Sequence, residues 1–252
     1  MRIYCTLLRR ELGALFLSVT GYIIIAAVTL LIGLSFEVLV TNLSGDTDPT
    51  PVTVTEMFYD TFFFWLIVLV AGPVITMRLF ALEKSTGTYE TLMTTPVSDL
   101  EVVAAKFSAA LVFYLILWLP LLACLFFIGR YTNEPGALDA GTVGGTYLGI
   151  MLVGGLFLSL GCFASAISRT QMTAAILSFV LGVTLFALGF LAKAIPVTSQ
   201  WQTSVLSFFG LFDQMKDFVR GVVDTRAVIF YLSLTLVFLF LTLRVVESRR
   251  WK

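Results

Sequence analysis

The chain is cut into six apolar runs of similar length, and that pattern constrains the fold more than any single residue does. The runs extend from about Ser18 to Leu39, Tyr59 to Met77, Phe107 to Ile128, Val143 to Ile167, Thr173 to Leu191 and Ala227 to Val246. Each approaches the roughly 20 residues with which a helix crosses the hydrocarbon core of a bilayer, where only self-satisfied backbone is tolerated. Composition agrees: 58% of the residues are hydrophobic and 13% charged, against roughly 45–50% and about 25% in soluble domains. The sequence therefore predicts an all-α integral membrane protein, a single domain over residues 1–252 with six transmembrane helices. The first run follows Arg2, Arg9 and Arg10 as the core of a signal peptide would. It is longer than such a core and lacks a small-x-small cleavage site, so it reads as a retained first span.

Lys and Arg are retained on the cytoplasmic side of a membrane. With the N-terminus inside, eleven basic residues fall there: Arg2, Arg9, Arg10, Arg78, Lys84, Lys106, Arg169, Arg244, Arg249, Arg250 and Lys252. Five fall outside. The first outer loop, Thr41 to Met57, has no basic residue and carries Asp46, Asp48 and Glu56. Both termini are therefore expected in the cytoplasm, in a multi-pass protein of a bacterial-type inner (plasma) membrane. The basic C-terminal tail reads as a lipid headgroup anchor, with no nucleic acid as partner.

Much chemistry is excluded. The chain has no histidine, so histidine-based acid–base catalysis and zinc–histidine sites lack their usual residue. Cys5, Cys124 and Cys162 are scattered without ligand or redox spacing, and no glycine is followed by lysine, so a phosphate-binding loop is absent. No catalytic, cofactor or metal residue is assigned. Glu37 and Asp60 lie near the outer boundary, leaving the spans without the buried ionisable groups of an ion-coupled transporter.

The second polar interruption, Glu83 to Asp99, carries helix signals that a passive connector does not need. Gly87 is an acceptable N-cap, and Glu90 then falls in the first turn, facing free N–H groups. Tyr89, Leu92 and Met93 share one face at i, i+3 and i+4, and Pro96 disfavours helix at Thr95. A helix of about two turns is expected there. Ser98 with Glu101 forms a capping box that opens a second helix, running through Val102 and Lys106 into the third span.

This region resembles the ABC-2 type transporter permeases, and most closely the six-span subgroup associated with gliding motility and nitrous-oxide reductase maturation. The resemblance covers nearly the whole chain. Its strongest part runs from Gly72-Pro73-Val74-Ile75-Thr76-Met77-Arg78 through Glu83, Gly87-Thr88-Tyr89-Glu90 and Leu92 to Pro96-Val97-Ser98, followed by Glu101 and Lys106. In such permeases this segment is a coupling helix seated in a groove of the ATP-binding subunit. The resemblance therefore implies a coupling segment over residues 83–106, with Glu83, Gly87, Thr88, Tyr89, Glu90, Leu92 and Pro96 at the contact. It also implies two copies of a separate ATP-binding cassette subunit that carries ATP and Mg, and a second permease copy or paralogue. ATP-driven export predominates in the family.

Two further segments are patterned. Residues 1–14 form an amphipathic helix, with Arg2, Thr6, Arg9 and Arg10 opposite Ile3, Tyr4, Leu7, Leu8 and Leu12, able to lie on the inner leaflet. Glu11 interrupts its apolar face. Family permeases place an elbow helix here. In the outer segment, residues 192–226, Asp213, Lys216, Asp217 and Arg220 oppose Phe208, Phe212, Met215, Val219 and Val222. By the resemblance this segment helps close the outer end of a pathway, which makes Phe208, Phe212, Phe218 and Gly221 candidate gate residues. A plain covering helix remains the other reading. Gly141, Gly145 and Gly149 recur at four-residue spacing, which allows close helix approach, either within the bundle or at a subunit interface. A scaffold that passes ATPase work to another membrane protein would share all these features.

Overall fold

All six apolar runs become helices. The structure, a computed structural model, describes residues 2–45, 54–88, 97–132, 139–194 and 210–250, and among these it carries helices and no strand. In chain order the helices are α1 (Arg2–Phe16), α2 (Val19–Gly45), α3 (Val54–Tyr59), α4 (Phe62–Thr76), α5 (Ala81–Thr86) and α6 (Asp99–Leu117). There follow α7 (Leu119–Thr132), α8 (Ala140–Ile167), α9 (Gln171–Ala194), α10 (Leu211–Val219) and α11 (Thr225–Arg250). Six stretches are long and apolar enough to cross a membrane: Val19–Thr41, Phe62–Thr86, Asp99–Arg130, Ala140–Ile167, Gln171–Gly189 and Thr225–Ser248. The expected all-α six-span class holds.

The third span is one run in sequence but two helices in space. Pro120 has no N–H to donate, and the chain tightens at Trp118, whose N–H bonds Leu115 O at 3.2 Å. Tyr147 donates to Trp118 O at 2.7 Å. α6 and α7 therefore continue one span across a local break.

α8 is the axis of the bundle. The most apolar window of this span is 83% buried, against 11% for the last span. Close approach explains how so many helices reach it. A Cβ at Gly154 would lie 2.0 Å from the Tyr114 ring of α6, and one at Gly161 would lie 2.0 Å from Thr76 Oγ1 of α4. At Gly145 and Gly149 the neighbour is α10: added Cβ atoms would meet Phe218 O at 2.4 Å and Met215 Sδ at 2.7 Å. The four-residue glycine spacing thus seats a helix of the same chain.

α1 and α5 lie at one end of the bundle, the near end, and α3 and α10 at the other, the far end. α1 packs on the start of the third span, with Leu7, Leu8 and Leu12 partly buried against the core and Tyr4 donating to Ser108 Oγ at 2.8 Å, so part of its apolar face meets protein. One sequence expectation is corrected here. Val222, expected on the apolar face of the outer helix, lies beyond the end of α10 and is exposed; Leu211, Met215, Phe218 and Val219 form the buried face instead.

Candidate functional site

At the near end the decisive element is α5, six residues long, between the second span and the coupling segment. Its first turn is capped from another helix: Ser165 Oγ of α8 accepts from the N–H groups of Phe80 and Ala81 at 3.1 and 3.2 Å. Lys84 returns the favour by donating to Ala166 O and to Ser168 O at the C-terminal end of α8. A cation at that end also meets the negative pole of the α8 dipole. α5 is thereby fixed to the axis of the bundle at both of its own ends.

Glu83 ties α5 to two further elements. Its Oε1 accepts from Lys106 Nζ of α6 at 2.8 Å and from Arg10 of α1 at 2.9 Å. Glu11 Oε1 accepts from the same two cations, each at 3.2 Å. The Lys106 side chain is 3% exposed and its Nζ sits 5.4 Å from the Phe80 ring centroid. A buried ammonium without partners would cost several kcal/mol, roughly, and two carboxylates explain why it is tolerated. The result is one ionic joint between α1, α5 and α6.

α5 stops at Gly87, whose φ is +75°. This left-handed conformation suits glycine, so Gly87 terminates the preceding helix, a role the N-cap reading missed. Thr88 Oγ1 packs back on Thr86 Oγ1 at 3.0 Å, and Gly87 and Thr88 are exposed. The third span then opens as expected: Glu101 N–H donates to Ser98 Oγ at 3.3 Å, and the Ser98 hydroxyl donates to Glu101 Oε2 at 3.0 Å. Tyr89, Glu90, Leu92 and Pro96 lie outside the described residues, as does Phe208. Of the candidate contact residues, Gly87 and Thr88 are placed at the surface, while Glu83 is largely enclosed and acts inside the joint.

At the far end α10 is clasped by α3. Glu56 accepts from Arg220 in bidentate fashion, at 2.6 and 3.0 Å, and pairs with Lys216 at 3.2 Å. Thr55 Oγ1 donates to Val219 O at 3.0 Å, and the Tyr59 hydroxyl donates to Phe212 O. Hydrogen bonding from Arg220 holds the Glu56 carboxyl below its ordinary value despite the opposing effect of burial. Phe218 is buried against α8. Phe212 is half-buried, with its ring 5.0 Å from Tyr59 and 5.7 Å from Trp65, centroid to centroid. Gly221, at φ +80°, turns the chain beside Gly141 and Thr142. The candidate gate residues Phe212, Phe218 and Gly221 thus share one seam between α10, α8 and α4.

The profile of the ABC-2 family transporter proteins matches residues 37–244. The chain belongs to the ABC-2 transporter family. It is a membrane-spanning permease and the transport subunit of an ABC transporter. No curated protein matches it. The matched range takes in Glu83 and Lys106 of the near-end joint and the whole far-end clasp, whereas Arg10 and Glu11 precede it.

Sequence reasoning missed the pairing of Glu11 with Lys106. A signal for it existed, since a carboxylate on the apolar face of an amphipathic helix asks for a buried cation. Lys84, Ser165 and the Glu56–Arg220 pair carried no local signal, because each partner lies far away in the chain.

Proposed function

We propose that this permease is the membrane half of an ATP-driven exporter, working as a pair with a second permease chain and with two copies of a separate ATP-binding subunit. The observation that carries the coupling part is the near-end joint: α5 is bonded to α8, α1 and α6 at once and leads directly into the surface residues Gly87 and Thr88. A push delivered to the segment after Gly87 would reach three helices through short bonds. On this reading Tyr89, Glu90, Leu92 and Pro96 meet the ATP-binding subunit, which supplies ATP and Mg, and Glu83 transmits. We place the chain in the gliding-motility and nitrous-oxide-maturation subgroup on its string from Gly72 to Ser98, and in an inner membrane by the same resemblance; its basic residues support a cytoplasmic near end.

The test is purification of the chain from its native membrane in mild detergent, with identification of stoichiometric partners and an ATPase assay. A co-purifying ATPase whose association is lost on Glu90→Lys, while the permease remains inserted, is the expected result. Recovery without any ATPase would overturn the proposal.

A further inference from the structure

Beside the near-end joint is a cavity of about 110 Å³, walled by Arg10, Glu11, Leu15, Arg78, Glu83 and Lys106 among others. Three features of it call for a ligand of mixed charge. Glu83 uses only Oε1 in the joint; its Oε2 is buried and has no hydrogen-bond partner. A buried carboxylate oxygen without a donor is costly, and Glu83 lines the cavity, so a donor that entered and met this oxygen on a small turn of the side chain would be strongly held. Arg78 donates to Ser18 Oγ at 3.1 Å and pairs with no carboxylate among the described residues, leaving a guanidinium suited to a phosphate. Arg10 is 56% exposed in its side chain and can reach a group at the mouth.

Position and size narrow the class. Ser18 and Arg78 lie where α2 begins and α4 has just ended, at the near-end boundaries of the apolar runs Ser18 to Leu39 and Tyr59 to Met77, where a lipid headgroup would lie if these runs mark the hydrocarbon core. Leu17 and Val19 beside them are 81% and 76% exposed, an apolar surface suited to acyl chains. The volume holds about four waters, which is the scale of an ethanolamine end with its phosphate left at the mouth. A purely anionic headgroup would meet Glu11 and Glu83. A choline headgroup brings a cation that cannot donate to Glu83 Oε2.

We propose that this cavity binds the headgroup of a phospholipid with a primary ammonium, of the phosphatidylethanolamine type, with the ammonium at Glu83 and the phosphate at Arg78 and Arg10. The site requires no ATP-binding partner, so it stands or falls apart from the coupling reading.

The test uses the purified full chain in mild detergent, with lipid retention measured by native mass spectrometry and unfolding temperature measured in parallel. Phosphatidylethanolamine, its mono-, di- and trimethylated forms and phosphatidylglycerol are supplied with identical acyl chains. Retention of phosphatidylethanolamine about tenfold above the trimethylated form is expected, the ratio that one charge-assisted hydrogen bond carries, with the partly methylated lipids between. Glu83→Gln should collapse that ratio toward one. Arg78→Gln should weaken both lipids while leaving the ratio intact, which keeps the proposal testable if the Glu83 variant does not fold. Equal retention of the unmethylated and trimethylated lipids by the unmodified protein would overturn it, as would equal retention of phosphatidylglycerol. Stabilisation by soluble phosphoethanolamine to the same degree as by the lipid would overturn the lipid assignment.

Discussion

Both ends of the bundle are tied by carboxylates shared between two cations, yet only the near end encloses a cation. There Lys106 is 3% exposed in its side chain, and Glu11 and Glu83 beside it are 11% and 13% exposed. At the far end the enclosed group is an anion: Glu56 is 7% exposed, while Lys216 and Arg220 are 35% and 50% exposed. The cations of the far clasp can themselves return to water, whereas Lys106 has nowhere to go. The near joint is therefore expected to hold as a pivot, and the far clasp to open more readily.

Removing the buried cation should have the largest effect. Lys106→Met leaves two carboxylates facing one half-exposed arginine, and breaking a buried pair costs about 3–5 kcal/mol. The expected outcome is a marked fall in unfolding temperature in detergent, together with release of α1, read as faster amide exchange over residues 2–16. An unaltered α1 would erase the contrast between the ends. Next comes Gly145→Val, which places a side chain where Phe218 O lies 2.4 Å from an ideal Cβ. Overpacking costs about 1–3 kcal/mol, and here α10 can lift away to relieve it. Increased labelling of a cysteine placed at Val219, which is buried in the seam, with the near end unchanged, is the result expected.

Glu56 tests the releasable character directly. Glu56→Gln should cost about 1 kcal/mol, because Arg220 rehydrates. The pH dependence has a definite sign. The folded-state pKa of Glu56 is lowered, so its stabilisation is complete above the ordinary value of 4.5 and is lost as pH falls through the depressed folded value. Labelling at the far end should be flat from neutrality to pH 5 and rise only in stronger acid, and Glu56→Gln should abolish that rise. A transition near pH 6 would mean that another group controls the clasp.

The parts of this architecture that were legible in sequence are those that depend on neighbours along the chain. Six spans could be read because a run of about 20 apolar residues sums many small preferences into one signal. The Ser98–Glu101 cap could be read because both partners lie in one turn. The joint could not, since Glu11 and Lys106 are 95 residues apart and Glu11 looked like a flaw in an interfacial helix. Gly87 shows a different limit: glycine is acceptable both before a helix and after one, and its left-handed φ of +75° at the end of α5 reveals the second role. The glycines of α8 announced close packing, but their partner, α10, lies far along the chain, with Phe218 against Gly145 and Met215 against Gly149.

The smallest effect is expected where the near end meets the third span. Ser98 caps α6 at an exposed position, with Glu101 as its partner, and loss of such a cap costs about 1 kcal/mol. Global stability in Ser98→Ala should therefore change little, because α6 is held farther along by Lys106 and by the Tyr114 ring packed against Gly154. Fraying should stop before Lys106: amide exchange should quicken over residues 99–102 and remain slow from residue 106 onward. If exchange quickened through Lys106 as well, the ionic joint would depend on the cap, and the pivot would begin at Ser98 rather than at the buried ammonium.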